Sequence, residues 1–296
     1  MVVLKTHIVP EGVEEIRLYD YAQQIFPTMP SRKGIKKAIA REEITVDGEK
    51  TTTGWWVKPG QKIELLESNI NPPKAYNLAL EVVYEDEYLA VINKPAGISV
   101  SGNQFRTIQN ALIGKVKASK EADALRWAKP VHRLDNPTSG LLIVAKTAKA
   151  LMKLGQQFEN KEIKKKYCAI VIGQLPESGV IDFDIDGLTS LTDYKLGKIV
   201  PSLRNEYLSL VELSPKTGRT HQLRIHLSKL GFPILGDKLY GKEGEILKGK
   251  GLFLSATALQ LNHPITSEVL TIEIETPYKF NALLERETKR WEKYNS

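Results

Sequence analysis

The sequence predicts an α+β protein with two units, a small helix-helix-hairpin domain followed by a larger domain on a mixed, mostly antiparallel sheet. Two observations predict this class. Helical periodicity dominates the first 40 residues, whereas strand-length apolar runs dominate after residue 80 without the regular strand-helix alternation of βαβ folds. Between them lies a stretch with Pro72-Pro73 that is typical of a linker. We therefore predict domains at residues 1–70 and 81–296, joined by a linker at 71–80.

The N-terminal unit begins with an amphipathic helix that should end before Pro27. A second helix is expected from Ser31, a good N-cap residue. Asp47-Gly48 is a hairpin signal, and Lys62 to Leu66 forms a last strand. The apolar residues at helical spacing are Leu18, Tyr21, Ala22, Ile25 and Phe26 in the first helix, then Ile35, Ala38 and Ile39 in the second.

The second helix carries an unusually one-sided charge. Five basic residues and no acid lie from position 32 to 41, whereas a solvated face usually mixes signs. These residues are Arg32, Lys33, Lys36, Lys37 and Arg41. The pattern alone leaves a phosphate-binding face and an ordinary solvated face equally open. However, residues 16–66, with the VDG turn and the V-x-P-G-Q strand, resemble an S4 RNA-binding domain, which implies that these five residues bind RNA.

The larger unit is rich in strands. One helix is expected at Ala148 to Glu159, through Leu151, Leu154 and Phe158. The apolar runs of strand length cover residues 82–84, 89–93, 140–145, 167–172, 207–213 and 270–274.

Composition excludes several classes of protein. The 296 residues are 42% hydrophobic and 26% charged, so neither disorder nor a fibrous repeat is expected. The lone Cys168 excludes an internal disulfide and a Cys-based zinc site, and no apolar run approaches the roughly 20 residues that span a bilayer. We expect a soluble cytoplasmic monomer without a membrane segment. The net charge of +7 permits a nucleic-acid partner but does not establish one.

The strongest motif is HRLDNPTSGLLIVAK, from His132 to Lys146. It places the carboxylate of Asp135 before a Pro-Thr-Ser-Gly turn that leads into an apolar strand, a common setting for catalytic groups. An arbitrary Asp there would more often only cap the turn. The complete run resembles the catalytic motif of RluA-type pseudouridine synthases, in which H-R-L-D is followed by T-S-G-L-L.

Three further segments resemble the same family, in the same order. They are DEYLAVINKPAGISV at Asp86 to Val100, KKKYCAIVIG at Lys164 to Gly173, and GRTHQLRIHLSKLGFPILGDKLYG at Gly218 to Gly241. The resemblance implies an isomerase that converts uridine in RNA to pseudouridine and needs no cofactor or metal. It also implies three catalytic residues, Asp135, Tyr167 and Arg224.

The resemblance assigns a role to each residue. Asp135 would act as nucleophile or as base, and the two remain open. Burial disfavours an ionised carboxylate, so we expect the Arg224 fork to bind Asp135 through two hydrogen bonds. Tyr167 would stack on the flipped uracil, and Arg133 would fill the gap that the base leaves in the RNA.

Several neighbouring Lys and His residues carry no catalytic assignment. Lys164, Lys165 and Lys166 are either a solvated strand edge or phosphate ligands. Lys94 and His132 should shape the site through their turns. His221 and His226 are five apart in what reads as a strand, a spacing that disfavours a shared metal.

The chain departs from the family in a few places. Residues 180–212 look short and irregular, Phe232 stands where the family usually has His, and Ser255 where it often has His. Because members with an S4 domain mostly modify large-subunit ribosomal RNA, we expect that substrate, with transfer RNA as the alternative. A non-catalytic RNA-binding or ribosome-assembly protein would keep the scaffold without the Asp, Tyr and Arg set. A glycosidase would need a second carboxylate, which no motif offers.

Overall fold

A computed structural model describes residues 2–29, 31–67, 74–241 and 249–296. The predicted linker at 71–80 lies partly outside them, since 71–73 are not among the described residues. In its described part, the backbone is irregular, and Leu78 and Leu80 pack against the core of the larger unit. No described helix is long and apolar enough to cross a membrane.

The N-terminal unit packs two helices against a four-stranded sheet of order β1-β6-β3-β4. The predicted helices and hairpin are present. The first strand escaped prediction because its side chains are almost all exposed and give no apolar alternation. The elements are β1 (Val3–Ile8), β2 (Ile16–Arg17), α1 (Leu18–Ile25), α2 (Arg32–Ala40), β3 (Ile44–Val46), β4 (Glu49–Lys50), β5 (Trp56–Val57) and β6 (Lys62–Leu66).

The local signals of this unit have the expected geometry. The Ser31 hydroxyl accepts a hydrogen bond from the Gly34 amide at 3.1 Å, which caps α2. Asp47 and Gly48 both have positive φ, 53° and 81°, as the turn between β3 and β4 requires.

The charge on α2 is less isolated than its own segment suggests. Arg32 pairs with Asp20 at 2.5 Å, and Arg41 binds Glu43 through two hydrogen bonds of 2.7 and 2.8 Å. The lack of acids within this segment therefore does not leave all five cations without an ion pair, because acids outside it reach Arg32 and Arg41. Three lysines remain on the exposed face, Lys33, Lys36 and Lys37.

The larger unit is built on a ten-stranded sheet. All described strand pairs are antiparallel except one, so the sheet is mixed and mostly antiparallel as predicted. The elements are β7 (Glu81–Glu85), β8 (Leu89–Lys94), α3 (Ile108–Ala111), β9 (Ala124–Pro130), β10 (Ser139–Thr147), α4 (Ala148–Glu159), β11 (Lys164–Ile172), β12 (Ser178–Ile181), β13 (Thr192–Ser202), β14 (Glu206–Pro215), α5 (Gln222–Lys229), β15 (Leu254–Asn262), β16 (Val269–Glu273) and α6 (Tyr278–Asn295).

Two half-sheets meet at a single parallel junction. One half has the order β12-β13-β14-β11-β15 and the other β10-β8-β7, with β9 and β16 pairing β10 and β15. Among the described strands, the pairing between the halves is that of Ser139 and Gly140 of β10 with Ser255 and Ala256 of β15. The loop before Ser139 contains Asp135, so the motif lies where the halves meet.

Gly140 is required at this junction. Its φ is +109°, and a Cβ there would overlap the Ala256 carbonyl oxygen. The Thr-Ser-Gly of the motif therefore has a packing reason, the close approach of β10 to β15.

Two sequence expectations need correction in this unit. Residues 180–212 are irregular only in part: 182–191 form no helix or named strand, whereas β13 and β14 form a long hairpin that pairs from Thr192 to Ser202. The segment after His221 is the helix α5 and not a strand. The sequence did not reveal the helix because its residues are buried on more than one side and show no clear helical period.

Candidate active site

Asp135 lies in the loop between β9 and β10, where two cavities meet. The cavities have volumes of about 880 and 590 Å³, and both are lined by Arg133, Asp135, His221 and Arg224. The Asp135 side chain is 18% exposed. Its carboxylate is therefore held in the wall yet open to a molecule in either cavity.

Lys94 ties the Asp135 loop to β8. Its fully buried ammonium donates to the carbonyl oxygens of Pro95, Asn136 and Thr138 at 3.0, 3.2 and 2.7 Å. All three donors are used on the backbone. Burial lowers the pKa of Lys94 to about 8, although the Asp135 charge opposes this. The expected shaping role fits these contacts.

His132 fixes the start of the same loop to β10. Its Nε2 accepts a hydrogen bond from the Ile143 amide at 3.0 Å, and its ring lies 4.6 Å from that of Phe158. Burial, with the nearby Lys165 charge, lowers the pKa of His132 to about 3. The ring therefore stays neutral and serves as an acceptor.

Arg224 does not bind Asp135 in the predicted way. Its fork binds Asp237, with Nε and Nη2 each 2.7 Å from a carboxylate oxygen. Only Nη1 faces Asp135, at 3.6 Å from Oδ2. The two-hydrogen-bond expectation is wrong because a second, fully buried carboxylate occupies the fork.

Asp237 is a site residue that sequence reasoning missed. Burial raises its pKa, but hydrogen bonds from Arg224 and from the amides of Leu239 and Tyr240 outweigh burial and lower it. For Arg224, burial lowers the pKa, but the hydrogen bond and charge of Asp237 oppose this, and the pKa lies above its ordinary value. The signal was the Gly-Asp pair within an otherwise apolar stretch, 13 residues after Arg224.

A histidine was also missed on the other side of Asp135. The His221 Nε2 lies 3.7 Å from the Asp135 Oδ1, and its Nδ1 bonds to the Tyr240 hydroxyl at 2.9 Å. His221 has a φ of +55° at the start of α5. Asp135 thus faces a ring nitrogen of His221 and a guanidinium nitrogen of Arg224. These two residues are connected to each other through Tyr240 and Asp237.

Tyr167 comes from the opposite half-sheet. It lies on β11, between Leu213 and Ala256 of the neighbouring strands, and lines the 880 Å³ cavity. Burial, together with the Asp135 charge, raises the pKa of Tyr167 well above its usual range. The phenol therefore stays protonated and can act as a donor or a stacking surface.

The remaining predicted residues divide between the two units. Arg133 is exposed beside Asp135 and borders both cavities. The five basic residues at positions 32 to 41 lie on α2 of the N-terminal unit and line neither cavity.

The histidine pair does not converge on one point. His226 is fully buried and bonds to the Ser190 hydroxyl at 2.8 Å, whereas His221 faces Asp135. Within the described parts of the chain, no group of three His, Cys, Asp or Glu side chains is placed to hold a metal.

The two departures from the family lie in the segment after α5 and on β15. Phe232 packs against the core of the hairpin half, with its ring about 3.0 Å from where a Gly173 Cβ would lie. Ser255 is buried at the parallel junction.

Comparison with known proteins identifies the family. Residues 88–229 match the family model described as RNA pseudouridylate synthase. The "Ribosomal large subunit pseudouridine synthase D" of Nitrosomonas europaea is 31% identical over 94% of this chain and 86% of that protein. The "Ribosomal large subunit pseudouridine synthase C" of Rickettsia typhi is 32% identical over 90% of this chain and 96% of that protein.

A solved structure agrees. "Human RNA Pseudouridylate Synthase Domain Containing 1" superimposes with a TM-score of 0.57 and 26% identity, covering 68% of this chain and 84% of that one. The chain belongs to the RNA pseudouridylate synthase family and is an isomerase that acts on RNA.

Proposed function

We propose that this enzyme converts uridines of large-subunit ribosomal RNA to pseudouridine, with Asp135 at the reacting centre. One observation carries the assignment of the centre: a partly exposed carboxylate at the meeting point of two cavities, 3.6 Å from a buried guanidinium. The choice of ribosomal RNA is supported by the names of the Nitrosomonas and Rickettsia relatives.

The reaction is balanced without a co-reactant. The N1–C1′ bond of the uridine breaks, the uracil turns, and a C5–C1′ bond forms. The proton on C5 leaves and N1 gains one. Asp135 acts either by attacking C1′ or by removing a sugar proton, and both routes require its ionised form.

Each neighbour of Asp135 has a part in this scheme. Arg224 supplies positive charge beside the carboxylate through its free Nη1. Tyr167, held as a phenol, stacks on the extruded uracil. Arg133 is exposed at the rim and takes the place of the extruded base in the RNA. The cost of extrusion is a few kcal/mol, which such a replacement offsets in part.

The N-terminal unit is proposed to be an S4-like RNA-binding domain, residues 1–70, linked by 71–80 to a catalytic domain at 81–296. Its support is the pair of amphipathic helices, the tight β3–β4 hairpin and the exposed lysines of α2. The five basic residues at positions 32 to 41 would contact the phosphate backbone without reading sequence.

The test is to map pseudouridines in total RNA from cells with and without the gene. We expect specific sites of large-subunit ribosomal RNA to revert to uridine, and a gene copy with Asp135→Asn to leave them unmodified. Sites lost only from transfer RNA would replace the proposed substrate. Full modification by the Asp135→Asn copy would remove Asp135 from the reaction.

A further inference from the structure

Lys165 differs from the lysines on either side of it. Successive side chains of a strand point to opposite faces, so Lys165 shares a face of β11 with Tyr167, two positions on. Lys166 lies on the other face and pairs with Glu212 at 3.1 Å. All three lysines border the active-site cavity, and Lys165 reaches it from the face of β11 that carries Tyr167.

The Lys165 ammonium is withdrawn from water without an acid to compensate it. Burial lowers the pKa of this group, and no carboxylate contributes to the shift. Among the described residues it has no hydrogen bond or ion pair. Its charge lies near the His132 ring, and the Phe158 ring centre is 5.9 Å from Nζ, near the outer limit of a cation–π contact.

The surrounding wall is strongly basic. Eight Lys or Arg residues line the 880 Å³ cavity, against two acids, Asp135 and Glu159. Three of the eight bind carboxylates, since Lys166 pairs with Glu212, Lys216 with Asp193 and Arg224 with Asp237. Of the remaining five, Arg133, Lys161 and Lys164 are exposed, whereas Lys165 and Arg219 are half-buried. Arg219 donates a hydrogen bond to the Thr189 carbonyl oxygen at 3.2 Å.

The Lys165 ammonium lies beside the loop between β14 and α5. A Cβ at Gly218 would lie 3.8 Å from the Lys165 Nζ, so the ammonium is close to the backbone of this loop. The loop also lines the cavity and carries Arg219. A ligand group in the cavity beside Nζ would therefore lie near both Lys165 and this loop.

We propose that Lys165 binds a backbone phosphate next to the target uridine and so positions the sugar of that uridine for Asp135. The inference rests on the proposed action on RNA. A half-buried cation without a protein counter-ion loses part of its hydration, and a phosphate supplies the missing charge. Lys165 is thus a positioning residue in the cavity, distinct from the exposed lysines of α2.

The experiment combines protein and RNA changes. Lys165→Met, Lys165→Arg and Lys166→Met are compared with wild type in binding and single-turnover conversion of an RNA stem-loop. The stem-loop contains a mapped target uridine. Separate RNAs carry an uncharged methylphosphonate in place of the phosphate on the 5′ or the 3′ side of that uridine.

We expect Lys165→Met to weaken binding of the unmodified RNA about 10- to 100-fold. The slope of log binding constant against log salt concentration should become shallower by about 0.7 to 0.9, the value of one phosphate contact. Lys165→Arg should recover most of the binding, and Lys166→Met should change it less than about threefold, since an exposed pair contributes little. Thermal midpoints of all variants report whether each is folded.

The RNA change identifies the partner. One methylphosphonate should weaken wild-type binding by the same factor as Lys165→Met, and should cause no further loss in the Lys165→Met variant. Equal losses in wild type and variant at both positions would overturn the inference. If wild type does not convert the uridine while the coupling is present, the proposed function fails and the phosphate contact stands. If wild type converts the uridine and the coupling is absent, the phosphate contact of Lys165 is overturned and the proposed function stands.

Discussion

Two basic regions of this protein carry similar residues in opposite surroundings. On α2, Arg32 and Arg41 are exposed and pair with Asp20 and Glu43. In the active-site cavity, Arg224 is only 4% exposed and binds the fully buried Asp237. Exposed charges interact weakly and are screened by salt, whereas a buried pair is held in one geometry. We infer that α2 contributes affinity and the cavity contributes orientation.

Net charge conceals this difference. The first 70 residues carry ten basic and ten acidic side chains and sum to zero, yet they contain the most concentrated basic helix. Affinity and orientation can therefore be separated by substitutions in each region.

Replacement of Asp135 by Asn should reduce uridine conversion by about 10³-fold or more, because the neutral amide serves neither as nucleophile nor as base. RNA affinity should stay within about threefold, since the change removes a negative charge from a cationic wall. Single-turnover conversion and equilibrium binding measure the two effects. A parallel loss of both would show that Asp135 belongs to binding and not to chemistry.

Replacement of Asp237 by Asn should lower stability by about 3 to 5 kcal/mol, because it leaves the buried Arg224 without its counter-ion. Conversion at saturating RNA should also fall, since the freed guanidinium can turn towards Asp135 and bind it directly. Urea unfolding and single-turnover rates are the readouts.

Asp193→Asn provides the matched control. Its pair with Lys216 is 42% and 54% exposed, so the loss should be below about 0.5 kcal/mol. If Asp237→Asn is as mild as this control, the fork is not a structural anchor.

The same carboxylate predicts a pH dependence. The pKa of Asp237 in the folded chain lies below its usual value of 3.8. Its contribution to stability is therefore complete above that value, and is lost as pH falls through the lowered folded value. The stability difference between wild type and Asp237→Asn should be constant near neutral pH and shrink in acid. A difference that stays constant in acid would contradict the lowered pKa. Asp86, also lowered, is present in both proteins and cancels.

Local patterns in the sequence predicted much of the fold. The helix at Ala148–Glu159 and the hairpin turn at Asp47 follow from periodicity and backbone preference, which act within a few residues. Strand β15 and helix α6 were missed, since β15 shows mixed burial and α6 is mostly exposed and charged.

Three of the predicted site residues line one cavity, but their pairing differs from the prediction. Motif resemblance located Asp135, Tyr167 and Arg224, and the fold brings all three to one cavity. The predicted partner of the Arg224 guanidinium was wrong. Asp135 and Asp237 both lie near this group, and the buried Asp237 binds it, which depends on the packing of distant segments and not on local sequence. His221 was missed for the same reason, since its approach to Asp135 depends on the left-handed turn before α5.

The smallest expected effect lies on α2, where paired and unpaired cations can be compared on one helix. Substitution of Lys33, Lys36 or Lys37 by Gln should lower the salt slope of RNA binding by about 0.7 to 0.9 each. Arg32→Gln should lower it less, because Arg32 must leave Asp20 before it reaches a phosphate. None should change conversion at saturating RNA, since α2 lines neither cavity.

Binding titrations at several salt concentrations distinguish the outcomes. Equal slopes for Arg32→Gln and the lysine variants would mean that the ion pair with Asp20 opens without cost in the complex. Unchanged slopes in all four would separate the N-terminal unit from RNA altogether. A loss of conversion at saturation would instead mean that α2 orients the substrate, and the division between the two basic regions would fail. Each lysine substitution should change RNA affinity only slightly, because an exposed charge is already hydrated. The effect on affinity becomes substantial only when several phosphates are bound together.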